Sequence, residues 1–478
     1  MKTVFKPMRH PGLLSTLTDT QKKAVLQACR VLREAGFECY LVGGSVRDLL
    51  LGKSAKDLDL TSNASPEQSQ RLFRRTIPTG IEHGTITLRL FGHSLELTTY
   101  RTESGYSDGR RPDRIEFGQT LSEDLKRRDF TVNALAYDPL REELLDEHEG
   151  MADLERRLIR TIGDPVERFF EDGLRPIRAC RFLSTLEFNL ENATAAAMRR
   201  PDVQKRTAMV AVERFSDELR KGMRAANPAP MIRELGKSGL LSLFLPDELR
   251  SADSSHLETS SESDAQHWNA SLLSVSGTGT SFEELMARLG EIDGVPYLVD
   301  FRTYLWLRDL CQFSAGNFAE DRRVLQASPD LNTILAVLRR WKFPNHSLQC
   351  AAACQLLLEK LNSTTHLSAA ETRFSMRKLL FELHRVLDHR MEPFLQSWSL
   401  ILEYCTEFWL SAELLKELLD LRADPYLIKD LAVNGKDLME AGINGKAVGE
   451  TLQSLLQMVW TDPTRNNRDF LLSQINQK

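Results

Sequence analysis

The stretch YLVGGSVRDLLLGKSAKDLDLT, from Tyr40 to Thr61, leaves the backbone few choices. An apolar run, CYLV, enters a Gly-Gly pair, and glycine accepts turn angles closed to other residues. SVRDLLLG then carries the apolar spacing of a helix turn closing at Gly52, and KDLDLT alternates as a strand. Strand, turn, helix and strand follow one another with no room for a linker.

The flanking segments extend this pattern. KKAVLQACRVLREAG (Lys22 to Gly36) has helical periodicity and ends at a glycine stop. GTITLRLFGHSLELTTYR (Gly84 to Arg101) reads as two strands joined by a turn at Gly92-His93. From about Ile162 onward strand signals stop. VERFFEDGLRPIRACRFLSTLEF and ETRFSMRKLLFELHRVLDHRMEPFLQSWSLILEYCTEFWL are amphipathic with a helical period. The predicted fold class is α+β, a mixed-sheet head followed by an all-helical remainder. Arg250 to Ser281 is rich in Ser, Gly and Thr, and reads as a mobile linker or surface insertion. No repeat of fixed period is present.

A chain of 478 residues suffices for two to four domains. No window approaches 18 apolar residues, and the first residues lack a signal-peptide core, so a cytoplasmic protein with no membrane contact is expected. The seven cysteines (Cys29, Cys39, Cys180, Cys311, Cys350, Cys354, Cys405) form no CxxC pair, which points to reduced core thiols. The ten histidines form no HExxH or other ligand spacing. A net charge of −5 predicts no general affinity for nucleic acid, although a local basic face would still bind phosphate.

The chemistry lies in the opening stretch. Asp57 and Asp59, at i and i+2 on a strand, point to one face. Two such carboxylates repel unless a cation sits between them. With oxygen-only ligands and open positions that cation is Mg²⁺. The Gly43-Gly44 turn opening a helix brings backbone N–H groups near an anion, and Arg47 adds a fork of donors. Together these describe a nucleoside triphosphate with its metal. Two-metal phosphoryl transfer asks for a further carboxylate on a neighbouring strand, and Glu96 in HSLELTTYR is the candidate.

Four further segments follow in order: SEDLKRRDFTVNALAYD (Ser122 to Asp138), FEDGLRPIRACRF (Phe170 to Phe182), VERFSDELRK (Val212 to Lys221) and LAVNGKDLMEAGINGKAVGETLQSLL (Leu431 to Leu456). With LVGGSVRDLLLGKSAKDLDLT they resemble the class II nucleotidyltransferases of the polymerase-β superfamily, the tRNA CCA-adding enzymes and bacterial poly(A) polymerases. The resemblance is dense over residues 35 to 225 and sparse beyond.

It implies a polymerase-β-like head at 1–161, a helical base-selecting neck at 162–249, a linker or insertion at 250–281, a helical body at 282–380 and a tRNA-binding tail at 381–478. Asp57, Asp59 and Glu96 would be catalytic, the two aspartates holding Mg²⁺. Gly43, Gly44, Arg47 and Arg128 would grip the triphosphate, with Asp129 and Asn133 contacting ribose or bracing that grip. Asp172 and Arg175, three apart on one helix face, would imitate a Watson–Crick edge for CTP or ATP without a template. Arg178 and Arg181 continue that stripe toward the triphosphate or the RNA end.

The implied partners are a tRNA 3′ end, CTP and ATP, with no obligatory protein partner. The loop Arg101 to Leu125 is full-length, unlike that of CC-adding relatives. Gly105, Gly109 and Pro112 mark it as a hinge for the switch from CTP to ATP, or as a plain surface hairpin. The ending RNNRDFLLSQINQK lacks the basic extension of poly(A) polymerases, and no HDIGK-like motif appears. The expectation is addition of CCA, with A-only addition as the alternative and poly(A) tailing behind it.

Overall fold

The computed structural model describes residues 7–55, 57–81, 84–104, 114–117, 120–246, 249, 286, 296–314, 331–363, 367–404 and 412–475. The Ser-rich segment at 250–281 and the hinge candidates Gly105, Gly109 and Pro112 lie outside them. The chain divides into two compact units, Met1–Glu218 with Glu234–Phe244, and Leu219–Arg233 with Leu245–Lys478.

The strands of the first unit are Met8–Arg9 (β1), Tyr40–Val42 (β2), Leu58–Ser62 (β3), Thr76–Gly80 (β4), Thr85–Leu90 (β5), His93–Thr99 (β6), Arg101–Ser104 (β7), Arg114–Phe117 (β8), Leu135–Asp138 (β9), Glu143–Asp146 (β10), Leu158–Ile159 (β11) and Asn189–Leu190 (β12). Eight form one mixed sheet in the order β1-β10-β9-β2-β3-β6-β5-β4. Within it β3 and β6 pair in parallel, with Asp59 opposite Glu96. Val42, Tyr100, Leu121, Leu125 and Ala136 pack as one buried cluster, so the strand that leads into the glycine turn is fixed by its core contacts.

The helix Asp19–Glu34 begins at a capping box, Thr18 with Gln21, and buries Ala24, Val25, Ala28, Cys29 and Leu32. These are the i, i+1, i+4, i+5, i+8 positions of one helical face. The cysteines Cys29, Cys39, Cys180, Cys350 and Cys354 are buried and unbridged, as expected of core thiols.

Local details depart from the sequence reading. Leu90 pairs with His93, so the turn is centred on Phe91 and Gly92, with φ of 49° and 82°. A two-residue hairpin loop that matches strand twist needs positive φ at both positions, and the exposed Phe91 accepts it. A strand does occur after Ile162: Asn189–Leu190 pairs in parallel with Leu158–Ile159, too short to leave a pattern. The ends of the long loop, β7 and β8, form an antiparallel ribbon.

The stretch Val166 to Phe188 is two helices, Pro165–Glu171 and Arg175–Thr185. Pro176, tolerated only in a first helical turn, sets the second start. A Cβ on Gly173 would lie 2.7 Å from the Arg206 carbonyl oxygen, so the chain between the two helices is pressed against its neighbour.

The second unit is helical. Helices include Leu298–Ser314, Leu331–Arg340, Asn345–Ser363, Ala369–Leu387, Met391–Tyr404 and Lys446–Thr461. Trp306 stacks on Trp341 with ring centroids 5.8 Å apart, and a cluster around Leu438, Leu456, Val459 and Trp460 closes the C-terminal part. Asp388, with φ of 50°, breaks the long periodic run starting at Glu371. Among the described residues no helix is long and apolar enough to cross a membrane.

Candidate active site

β2 delivers the chain to Gly43, whose φ is 73° and ψ is −139°, and a seven-residue helix begins at Gly44. A Cβ on Gly43 would stand 2.8 Å from Arg128 Nη1. Glycine is therefore required twice, for the backbone angle and for the approach of the arginine.

One turn into the helix, Arg47 is 8% exposed. Its Nε donates to Asp48 Oδ1 at 2.9 Å and its Nη1 to Asn133 Oδ1 at 2.5 Å. The Asn133 amide donates to Asp129 Oδ1 at 3.0 Å, and Arg178 Nε donates to Asp129 Oδ2 at 2.8 Å. Arg47, Asn133, Asp129 and Arg178 form one continuous chain from the Gly-Gly helix to the helix Arg175–Thr185. Burial would raise the Asp129 pKa, but Arg178, Asn133 and Arg175 outweigh it and hold the carboxyl well below the usual range. Asp129 and Asn133 thus brace the arginines.

Arg128 is anchored separately. Its Nη2 donates to Asp124 Oδ2 at 3.1 Å, while Arg127 Nε and Nη2 donate to Asp124 Oδ1 at 3.0 and 2.6 Å. Asp124 is fully buried and also lies 3.4 Å from the Thr61 hydroxyl, two residues beyond Asp59 on β3. Sequence reasoning missed it. The available signal was an acid three and four residues before paired arginines in SEDLKRRD.

Asp59 is half-buried on β3, across from Glu96. Burial first, then Glu96 and Asp57, push its pKa up to about 6 against the pull of Arg128. The carboxylates are therefore close enough to repel. Asp57 is exposed and occupies a bend, because β3 begins at Leu58 and does not include it as the alternation suggested. Among the described residues no three His, Cys, Asp or Glu side chains are gathered tightly enough to hold an ion alone. The donor set is acidic oxygen that raises its own ionisation cost. It fits a hard divalent cation that takes its remaining ligands from water and substrate phosphate.

The pair Asp172 and Arg175 differs from expectation. Asp172 caps the end of one helix in extended geometry (φ −138°, ψ 109°), and Arg175 opens the next, so they do not share a helical face. Arg214 holds Asp172 by two bonds, at 3.2 Å to Oδ1 and 3.0 Å to Oδ2, and the Leu174 N–H adds a third at 3.0 Å. Arg175 donates to Glu171 Oε2 at 2.6 Å and to the carbonyl oxygens of Arg168 and Arg127 at 2.9 and 2.7 Å. Arg181 pairs with Glu218. Arg214 and Glu218 both belong to VERFSDELRK, where their i, i+4 spacing suggests a pair with each other, whereas they reach Asp172 and Arg181.

Comparison with known proteins adds three family matches. Residues 39–160 match the poly A polymerase head domain, residues 187–249 the RNA- and SrmB-binding site of polymerase A, and residues 325–475 tRNA nucleotidyltransferase domain 2. The CCA-adding enzyme of Lactobacillus helveticus is 52% identical over 205 residues, 43% of this chain and 50% of that protein. That of Ligilactobacillus salivarius is 45% identical over 224 residues, 46% of this chain and 54% of that protein. The matching segment thus spans about half the length of these relatives.

The Bacillus stearothermophilus CCA-adding enzyme, solved with CTP, superposes with a TM-score of 0.67 at 26% identity, covering 96% of this chain and 98% of that one. A CCA-adding enzyme solved with ATP superposes at 0.62 with 21% identity, covering 98% of this chain and 99% of that one, a likeness of fold alone. A poly A polymerase head domain, an RNA-binding segment and a tRNA nucleotidyltransferase domain 2 are thus matched in that order along one α+β chain, which is similar over about half their length to CCA-adding enzymes.

Proposed function

We propose that this chain is a cytoplasmic, template-independent nucleotidyltransferase that adds CMP, CMP and AMP to the 3′ end of tRNA, using CTP and ATP and releasing pyrophosphate. The observation that carries this reading is the opposition of Asp59 and Glu96 on parallel strands beside Arg128, with Gly43 packed against that same arginine. Carboxylates for a metal and guanidinium groups for a polyphosphate then meet at the end of β2. The naming of relatives as CCA-adding enzymes supports tRNA as the acceptor.

In this reading Asp57 and Asp59 would hold Mg²⁺, with Glu96 as the further carboxylate on the neighbouring strand; the ion would lower the pKa of the terminal ribose hydroxyl and neutralise charge on the leaving oxygens. Arg128, which lies against Gly43 and acts on Asp59, is assigned to the triphosphate. Arg47 and Arg178, spaced by Asn133 and Asp129, grip the remaining phosphates without having to reorganise.

Asp172 and Arg175 are assigned the choice of base, for which each would have to give up a present partner, Arg214 and Glu171 respectively. Cytosine and adenine both present an exocyclic amine beside a ring-nitrogen acceptor, and a carboxylate next to a guanidinium complements that edge. Uracil and guanine present a carbonyl to the carboxylate and leave buried polar atoms unpaired. The tail residues 381–478 are assigned to tRNA binding.

Product sequencing tests the proposal. A tRNA lacking all three terminal nucleotides, offered CTP and ATP, should be restored to CCA. A tRNA extended only when it already ends in CC would identify an A-adding enzyme, and a long A tract would identify a poly(A) polymerase.

A further inference from the structure

Phe182 lies on the helix Arg175–Thr185 and is 3% exposed. Three guanidinium groups sit on its ring: Arg181 at 3.9 Å from the centroid, Arg47 at 5.4 Å and Arg178 at 5.6 Å. The ring is itself clamped edge-to-face by Phe130, at 5.6 Å and 89°. Like charges gathered on one small surface repel, and each therefore needs local compensation. Asp48, Asp129 and Glu218 supply it from outside, one to each arginine. The negative face of Phe182 supplies it from the inside, common to all three.

Two of these arginines come from different segments, Arg47 from the Gly-Gly helix and Arg178 from the helix that follows Asp172. Asn133 and Asp129 intervene between them in the hydrogen-bonded chain. The ring lies within 6 Å of both guanidinium carbons.

We infer that Phe182 is a positioning residue for the polyphosphate grip, fixing Arg47 and Arg178 in one fan through its ring face. This rests on the nucleotide reading above. The group recognised is a polyphosphate, irrespective of base, because two of the three arginines on the ring, Arg47 and Arg178, are those assigned to phosphate, while Asp172 is paired with Arg214.

The test uses the full chain and two probes, ATP and inorganic tripolyphosphate, with affinities measured by calorimetry. Phe182→Leu removes the quadrupole and keeps an apolar side chain. It should weaken both probes by a common factor of about three to ten, the scale of a partly desolvated cation–aromatic contact. KM for ATP should rise by the same factor, with kcat changed less. Phe182→Tyr should restore wild-type values within a factor of about two.

Should Phe182→Leu fail to fold, replacement by trifluorophenylalanine cancels the ring quadrupole at nearly constant volume and should give the same loss. Unchanged tripolyphosphate affinity in either variant overturns the inference, as does a loss confined to ATP, which would assign the ring to base or ribose. A wild-type chain that binds neither probe would instead remove the nucleotide reading itself.

Discussion

Replacing Asp59 by Asn should make the protein more stable at neutral pH while destroying its activity. The carboxyl has its pKa pushed from an ordinary 3.8 to about 6, first by burial and then by Glu96 and Asp57. A raised carboxylate pKa means that the folded state disfavours the charge. Below pH 3.8 both folded and unfolded chains are protonated and nothing is lost. Between 3.8 and 6 the penalty grows, and above 6 it is complete.

A shift of about two units at about 1.4 kcal/mol each gives a ceiling near 3 kcal/mol. Side-chain relaxation reduces this to about 1–3 kcal/mol. For a unit of this size the gain corresponds to about 2–12 °C in the melting of the first unit. Calorimetric scans of wild type and Asp59→Asn at pH 8 and pH 3.5 measure it. The variant should melt higher at pH 8 and equally at pH 3.5. Added Mg²⁺ should raise the wild-type transition and leave the variant nearly unmoved. A variant that melts lower than wild type at pH 8 would refute the claim that these carboxylates repel.

Gly43→Ala should cost about 1 kcal/mol or more in stability from the positive φ alone, and it should weaken nucleotide binding because its Cβ displaces Arg128; thermal melting and ATP titration check the two parts. Asp129→Asn strips Arg178 of its buried partner and should destabilise by about 3 kcal/mol, seen by urea denaturation. The acid sensitivity of wild type should include this same group: its depressed pKa contributes stability above its ordinary pKa, and the contribution is lost as pH falls further. Asp172→Ala should relax discrimination against UTP and GTP, read by incorporation of each nucleotide into tRNA; reduced rate with unchanged selectivity would make Asp172 structural.

Much of this site was legible because its residues are close in sequence and obey simple periods. The Gly43-Gly44 turn, Arg47 and the placement of Asp59 opposite Glu96 follow from two neighbouring strands whose alternation is strong. What escaped was set by tertiary packing. A helical period ran through Asp172, yet Gly173 against Arg206 and Pro176 at a helix start split it, so the expected one-face pair became two differently anchored side chains. Asp124 was passed over because a buried acid and a solvated one look alike in sequence; its arginine neighbours alone hinted at the difference. Phe182 read as an ordinary core aromatic, since nothing in its spacing reveals that three cations converge on it.

Transfer of CMP from CTP to a tRNA lacking CCA, measured as a function of Mg²⁺ for wild type, Asp59→Ala and Glu96→Ala, tests the central claim most directly. Wild type should incorporate CMP with saturable Mg²⁺ dependence. Asp59→Ala should show no incorporation at any Mg²⁺ concentration while keeping a cooperative thermal transition, and Glu96→Ala should be strongly impaired. Near-normal turnover by the Asp59→Ala protein in Mg²⁺ would contradict the account.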